Sequence, residues 1–148
     1  MNVLGIQKVY ADLITDRITG LNGYSYVETL FEDTEGFAGY NAPAALVVCP
    51  SFTPLPEGVA TIFDCVINWA CVVVVEDGSA EDCYSQGWGF AEQVAALFNG
   101  NQPIRSSQTG SIKIDGVTRQ ERLDKEGFPL GTYYWIILFS QYYKYDNR

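Results

Sequence analysis

The stretch Phe63–Asp77 reads FDCVINWACVVVVED and is the longest strand-like run in the chain. Because side chains alternate along a strand, one side of this run is uniformly apolar: it carries Phe63, Cys65, Ile67, Trp69, Cys71, Val73 and Val75. The other side is polar at both ends and in the middle, but apolar over its second half. The series Val72–Val75 and the acidic stop at Glu76 favour a strand over a buried helix. We therefore predict the central strand of a single sheet, with one face in a core and the other partly covered.

The residues before this strand predict a helix and two further strands. Residues 3–21 place apolar side chains at helical spacing, which predicts an amphipathic helix laid on the sheet. Tyr24–Phe31 alternates and is predicted to be a strand, whereas residues 32–43 lack periodicity and are predicted to be a surface loop suited to contact with a neighbour. Ala44–Phe52 is apolar on both sides and predicts a second buried strand. The TPLPEG sequence of residues 53–58 is typical of a turn.

After Asp77 the apolar spacing changes from the period of a strand to that of a helix. Ser79 followed by Asp82 has the spacing of a capping box, and Asn99-Gly100 ends the pattern. Gly87 and Gly89 lie in the middle of this run. Each weakens a helix by up to about 1 kcal/mol relative to alanine, so either the helix begins late or its backbone approaches the sheet closely.

The last third of the chain predicts a polar segment and a final interior strand. Residues 101–131 are polar, with turn signals at Asp115-Gly116 and at residues 127–131. Thr132–Tyr145 reads TYYWIILFSQYYKY, which is apolar on both sides through Phe139. Together these patterns predict one α+β domain over residues 1–148. Its sheet is mixed and mainly antiparallel, with about four to six strands and two helices packed on one face.

Composition narrows the class of protein. The chain has 148 residues, of which 47% are hydrophobic, enough for one ordinary core. Apolar runs never reach the roughly 20 residues of a membrane span, and the first residues lack a basic signal region, so we expect a soluble protein that begins near Met1. The net charge of −9 argues against a protein that grips nucleic-acid phosphates.

The four cysteines, Cys49, Cys65, Cys71 and Cys83, do not have the spacing of a zinc site. Cys65 and Cys71 lie on one predicted strand, roughly 20 Å apart at about 3.3 Å per residue. The chain contains no CxxC pair and no histidine. We interpret the cysteines as buried free thiols, and a bridge within the chain or between subunits is the alternative.

Charge is distributed unevenly along the sequence. Five of the nine basic residues fall in one segment: Arg105, Lys113, Arg119, Arg122 and Lys125. Two stretches are acidic, one with Glu28, Glu32, Asp33 and Glu35, the other from Glu76 to Asp82. Solvated loops would explain this pattern. The sharper hypothesis is a head-to-tail interface, in which Arg119, Arg122 and Lys125 of one copy face Glu32, Asp33 and Glu35 of the next.

No catalytic constellation stands out in the sequence. The absence of histidine excludes triads, and the glycines form neither GxGxxG nor a P-loop. The acids from Glu76 to Asp82 flank a helix start, where the dipole favours them without a metal. We therefore expect no enzyme, no catalytic residue, no metal and no cofactor. The alternative is a small enzyme or ligand-binding domain with a pocket beside Trp69, Trp88 and these acids.

The order and size of the elements resemble the tail terminator, or tail completion, proteins of long-tailed bacteriophages. The resemblance covers the whole chain and rests on this order and on three stretches: NAPAALVV, INWACVVVVEDGS and the aromatic last strand. It implies a structural virion protein whose copies form a ring, expected to be a homohexamer, on the finished tail tube. The ring ends tube polymerisation and joins the tail to the head.

The resemblance also implies partners and a location. The partners are further copies of the chain, the tail tube protein, the head-side connector and, in contractile tails, the sheath. Genomic DNA passes through the ring without specific binding, which suits an acidic protein. The protein would be assembled in the bacterial cytoplasm and reside at the tail-neck junction of the virion. Another neck protein, such as a head-completion or connector subunit, is the alternative within this class.

Overall fold

A computed structural model describes residues 2–25, 40–59, 62–76, 78–123, 125–127 and 129–146. Two helices and five strands follow one another in this part of the chain. The helices are α1 (Val3–Arg17) and α2 (Ala80–Phe98), and the strands are β1 (Asn22–Ser25), β2 (Ala44–Val59), β3 (Ile62–Glu76), β4 (Thr109–Leu123) and β5 (Pro129–Asp146).

The strands form one sheet in the order β1-β2-β3-β5-β4. The β1 strand is parallel to β2, and all the other neighbours are antiparallel. The prediction of a central strand is confirmed, because β3 is the middle strand and pairs with β5 along its whole length, from Ile62 opposite Asp146 to Glu76 opposite Thr132. The final strand is also interior, as predicted, since β5 lies between β3 and β4.

Both helices pack on the same face of the sheet, which we call the helix face. The apolar side of β3, from Cys65 to Val75, forms one core there with Tyr10 and Ile14 of α1 and with Val94 and Phe98 of α2. On the opposite face, the outer face, a second cluster consists of Ala44, Leu46, Val48, Ala70, Val72, Val74, Tyr134 and Ile136. The predicted α+β fold, with one mixed, mainly antiparallel sheet and two helices on one face, is confirmed.

Two buried glutamines join α1 to the sheet. The Gln7 amide donates to the Val47 carbonyl at 3.1 Å and accepts from the Cys49 backbone N–H at 2.9 Å. The Tyr10 hydroxyl donates to Gln141 Oε1 at 2.9 Å, and the Gln141 amide donates to the Gly110 carbonyl at 2.8 Å. These bonds satisfy polar groups that would be costly to bury unpaired, and they fix α1 across β2 and β5.

The sequence left two explanations for the glycines of α2: a late start of the helix or a close approach of its backbone to the sheet. The Ser79 hydroxyl accepts from the Asp82 backbone N–H at 3.2 Å, so the helix begins at Ala80 and not after the glycines. A Cβ atom on Gly87 would lie 2.1 Å from the Trp135 ring, whereas a Cβ on Gly89 would meet nothing within 4 Å. Close approach of the helix backbone to the sheet therefore requires glycine at position 87 only.

Several predicted boundaries differ from the structure. The first helix ends at Arg17 and not at residue 21, although Ile18 and Leu21 remain buried beneath its end. The first strand begins at Asn22, and its predicted continuation over residues 26–31 lies outside the described residues.

Residues 53–58, predicted as a turn, belong to β2, and Asp115-Gly116 is a β-bulge within β4. In both places the strand has a neighbour on one side only among the described strands. An edge strand lacks hydrogen bonds on one side, so it tolerates proline, glycine and bulges. The predicted turn signal at residues 127–131 is confirmed at Gly127, which lies between β4 and β5 with a φ of 88°.

Candidate assembly surfaces

The β4 strand is the long exposed edge of the sheet. Within the described part of the chain it pairs with β5 on one side only, over the 15 residues Thr109–Leu123. Its register shifts three times, between Thr109 and Ile112, between Ile114 and Gly116, and between Glu121 and Leu123. Exposed charged side chains interrupt the strand at Lys113, Asp115, Arg119 and Glu121. Bulges and charges are the features that prevent edge strands from pairing with other chains, so contact here is expected through side chains.

Arg119 is the predicted interface residue whose surroundings the structure describes most fully. It lies opposite Trp135 on the helix face, and its guanidinium carbon is 4.2 Å from the centre of the Tyr84 ring. This cation–π contact holds the guanidinium flat against the ring, and its side chain is still exposed. Lys125 is also exposed. The side chain of Arg122 and the whole of Glu32, Asp33 and Glu35 lie outside the described residues.

Acidic and basic residues are separated along the chain more completely than the predicted acidic stretches and basic segment indicate. Residues 18–104, which include β1, β2, β3 and α2, contain no lysine or arginine. The same stretch contains eleven acidic residues: Glu28, Glu32, Asp33, Glu35, Glu57, Asp64, Glu76, Asp77, Glu81, Asp82 and Glu92. Seven of the nine basic residues follow, from Arg105 onward. Lys113, Arg119 and Arg122 lie on β4 together with Asp115 and Glu121, and Lys144 lies on β5, whereas β2 and β3 carry acids alone. The two basic residues near the start of the chain, Lys8 and Arg17, lie on α1, which packs on β1 and β2.

An exposed tryptophan stands next to Arg119 and its aromatic neighbours. Trp88 lies on α2 and remains 43% exposed, although its ring meets that of Trp135 edge to face at 6.1 Å. Tyr84, one turn earlier on α2, meets Tyr133 edge to face at 5.1 Å. We call Trp88 with Tyr84 and Arg119 the Trp88 patch. Tryptophan, tyrosine and arginine are the residues most enriched at the energetic centres of protein interfaces.

An apolar cavity lies at the other end of the strands, between the start of α1 and the helix face. Its volume is about 380 Å³. We call it the α1 cavity, and its lining consists of Asn2, Val3, Leu4, Phe52, Cys65, Ile67, Tyr143 and Tyr145. Leu4 and Phe52 are 40% and 52% exposed, so they mark its rim. None of these side chains carries a charge at neutral pH, and burial raises the pKa of both the Cys65 thiol and the Tyr143 phenol.

The described residues do not bring Trp69 and Trp88 together in the pocket considered from sequence, beside the acids from Glu76 to Asp82. Trp69 is only 3% exposed and stacks on Phe139 with ring centres 4.2 Å apart, deep in the core. Trp88 contacts Trp135, which lies four residues before Phe139 on β5. The observed cavity involves neither tryptophan and none of these acids.

The cysteines and acids do not cluster where the structure describes them. All four cysteines are free thiols, with Cys65, Cys71 and Cys83 buried and Cys49 half-buried. Burial strongly raises the pKa of the Cys71 thiol, which keeps it protonated. No group of three or more cysteine or acidic residues that could hold a metal occurs in the described ranges. Neither α1 nor α2 is long and apolar enough to cross a membrane.

The Trp88 patch and the α1 cavity were both missed at the level of sequence. Trp88 fits the apolar periodicity of α2, so its pattern indicates a core residue. The lining of the cavity comes from α1, β2, β3 and β5, and the sequence contains no signal that joins them. Compared with protein-family models and with curated proteins, the sequence has no match.

Proposed function

We propose that this protein is a structural component of a phage virion that forms a ring on the tail tube, ends tube polymerisation and joins the tail to the head connector. The order of elements supports the proposal, because helix, strands, helix and closing hairpin follow one another as they do in the tail terminators that the sequence resembles. This order is the observation that carries the proposal.

Charge polarity supports the ring contact. A head-to-tail contact repeats one pair of dissimilar surfaces around the ring, so any charges that contribute to it are of opposite sign on two sides of a subunit. Lys113, Arg119 and Arg122 on β4, together with acids alone over residues 18–104, support such a pair of surfaces. Such charges chiefly orient the encounter and set its rate, while apolar contacts supply more of the affinity.

The defining experiment is electron microscopy of particles from a deletion of the gene. Abnormally long tails without heads are the expected result, since termination and joining would both be lost. Tails of normal length that fail to join heads would indicate a connector-side neck protein instead. Normal virions would contradict both assignments.

Charge reversal then tests the subunit contact during complementation of the deletion. Arg119→Glu is expected to weaken ring assembly on tails while the monomer stays folded, because Arg119 is exposed and its stack on Tyr84 is worth only about 0.5–1 kcal/mol. Lys8→Glu is the matched control, since it makes the same change of net charge on the exposed surface of α1. Equal assembly by wild type and Arg119→Glu would exclude Arg119 from the contact.

A further inference from the structure

We propose that a second cavity, beside the end of α2, binds the phosphate group of a small molecule. The cavity has a volume of about 530 Å³, and its wall consists of polar side chains from the α2–β4 connection and from β4: Asn101, Gln102, Arg105, Ser106, Ser107 and Ser111. We call it the Arg105 pocket. It shares no lining residue with the α1 cavity, and the inference does not depend on the proposed ring.

The sequence around the pocket is basic, although the whole chain carries a net charge of −9. Residues 93–114 contain Arg105 and Lys113 and no acidic residue. The acids that flank this stretch are Glu92 on α2 and Asp115, which accepts a hydrogen bond from the Ser140 hydroxyl. None of the described side chains in the wall is acidic. An anion in the pocket therefore meets the guanidinium without a competing carboxylate in the wall.

The wall of the pocket presents hydrogen-bond donors that the described part of the chain does not use. The Arg105 guanidinium and the Ser107 and Ser111 hydroxyls form no hydrogen bond or ion pair with a described residue. The Ser106 hydroxyl oxygen accepts from the Gln108 backbone N–H at 3.1 Å, so its own proton can still be donated. One guanidinium and three hydroxyls suit a phosphate, because its oxygens accept hydrogen bonds from several directions.

Hydrogen bonds within the α2–β4 connection fix the backbone that carries these donors. The Gln102 amide donates to the Thr109 and Ser106 carbonyls at 2.6 and 3.2 Å. The Thr109 hydroxyl and the Ser106 backbone N–H both donate to the Ile104 carbonyl, at 2.8 and 3.1 Å. The backbone on both sides of the arginine is therefore held in place before a ligand binds. A preformed site loses less conformational entropy on binding, which increases affinity.

The end of α2 opposes the binding of an anion, because the last carbonyls of a helix carry partial negative charge. Local hydrogen bonds occupy these carbonyls. The Asn101 amide donates to the Leu97 carbonyl at 2.8 Å, and the backbone N–H groups of Asn101 and Asn99 donate to the Phe98 and Ala95 carbonyls at 3.0 and 2.8 Å. A helix end is equivalent to roughly half an elementary charge, whereas the guanidinium carries a full one, so attraction prevails.

The size of the pocket and its remaining groups indicate a phosphate monoester that also carries hydroxyl groups. A bare phosphate fills only part of a cavity of about 530 Å³. The amide nitrogens of Asn101 and Gln102 donate within the chain, so their oxygens remain as acceptors. The hydroxyl groups of a polyol can donate to these oxygens. A small polyol phosphate such as glycerol 3-phosphate is therefore expected to bind more tightly than inorganic phosphate.

Isothermal titration calorimetry in a buffer without phosphate tests the site. Wild type is expected to bind glycerol 3-phosphate at one site, inorganic phosphate more weakly, and glycerol not at all. Arg105→Gln should weaken the affinity for glycerol 3-phosphate by about tenfold or more, because hydrogen bonds from a charged donor are lost. Arg105→Lys should weaken it by only about threefold, since it keeps the charge but not the planar fork. Lys125→Gln, at an exposed basic position outside the pocket, is the matched control expected to bind like wild type.

Two-dimensional amide NMR spectra locate the ligand independently, and the shifted amides are expected to lie within residues 100–111. Binding that does not saturate, or that Arg105→Gln and Lys125→Gln weaken equally, would overturn the pocket in favour of general attraction to basic side chains. Shifts centred elsewhere in the chain would overturn it as well. Equal affinities for glycerol 3-phosphate and inorganic phosphate would overturn the polyol part of the ligand. The gene deletion affects none of these results, so the pocket and the proposed function are tested separately.

Discussion

At one end of the strands α2 covers Trp135 and Phe139, while at the other end β2, β3 and β5 continue past the helices and Phe52 remains 52% exposed. We call these the closed end and the open end of the helix face. The closed end has a complete aromatic core, in which Phe98 contacts Tyr10 and Trp69 with ring centres 5.2 and 5.1 Å apart. The same sheet thus has a complete aromatic core at one end and exposed apolar surface at the other.

The largest expected effect is the difference in the free energy of unfolding between two phenylalanine variants, one at the closed end and one at the open end. Phe98→Ala at the closed end should lower the free energy of unfolding by about 3–5 kcal/mol, because it opens a cavity in a fully buried cluster. Phe52→Ala at the open end should change it by no more than about 0.5 kcal/mol, since that ring is half exposed. Urea unfolding of both variants measures the difference. Equal losses would show that the open end contributes to the core.

Two glycine variants test how closely α2 packs on the sheet at the closed end. Gly87→Ala should destabilise by about 1–3 kcal/mol, because the added methyl group overlaps the Trp135 ring. Gly89→Ala, two residues away and in open space, should stabilise by up to about 1 kcal/mol through higher helix propensity. Thermal unfolding of the two variants gives the signs directly. Stabilisation by both would contradict the close contact of helix and sheet.

Sequence patterns predicted the closed end better than the open end. Alternation from Cys65 to Val75 and the helical spacing after Ser79 both reflect burial against one neighbour, so local periodicity contains the information. The open end depends on where the helices stop, a property of the tertiary arrangement. Pro54 and Gly58 indicated a turn because proline and glycine usually interrupt strands. Among the described residues, however, β2 pairs with β1 from Ala44 to Val47 and has no neighbour on that side beyond this point. Trp88 was missed because helical spacing does not distinguish a partly exposed aromatic residue from a buried one.

Tyr10 lies near the boundary between the closed end and the open end. Its ionisation makes the free energy of unfolding depend on pH. Desolvation raises its pKa to about 12 from an ordinary value of 10, and the hydrogen bond with Gln141 lowers it only partly. The protonated phenol is therefore favoured by folding, and this stability is present below pH 10 and lost as the pH rises from 10 toward 12. A shift of about two pKa units corresponds to roughly 2–3 kcal/mol.

Tyr10→Phe is expected to remove that part of the pH dependence. The variant should also lose about 1 kcal/mol at neutral pH, because Gln141 Oε1 loses its donor. Unfolding by urea at several pH values between 8 and 12 measures both effects against wild type. A wild-type profile that Tyr10→Phe leaves unchanged would mean that other tyrosines control the alkaline transition.

The smallest expected effect lies on the outer face of the open end. The Tyr142 hydroxyl donates to Asp64 Oδ1 at 2.6 Å, and this bond is the main reason that the Tyr142 pKa is raised. Asp64→Asn should lower the Tyr142 pKa toward its ordinary value in a spectrophotometric titration. The free energy of unfolding should change by no more than the roughly 0.5 kcal/mol typical of surface substitutions. A larger loss would show that the outer face also contributes to stability at this end.

The place of β5 in the sheet has a consequence for how the protein is made. This strand follows the other four in the sequence, yet it lies between β3 and β4 and carries Trp135 and Phe139. At a synthesis rate of about 5–20 residues per second, the ribosome holds an apolar β3 for several seconds before its main partner emerges. A chain that stops early cannot join β4 to the sheet or seat α2 on Trp135. Only a completely translated copy can therefore close the sheet between β3 and β4 and cover Trp135 with α2, so the apolar helix face stays exposed until synthesis is finished.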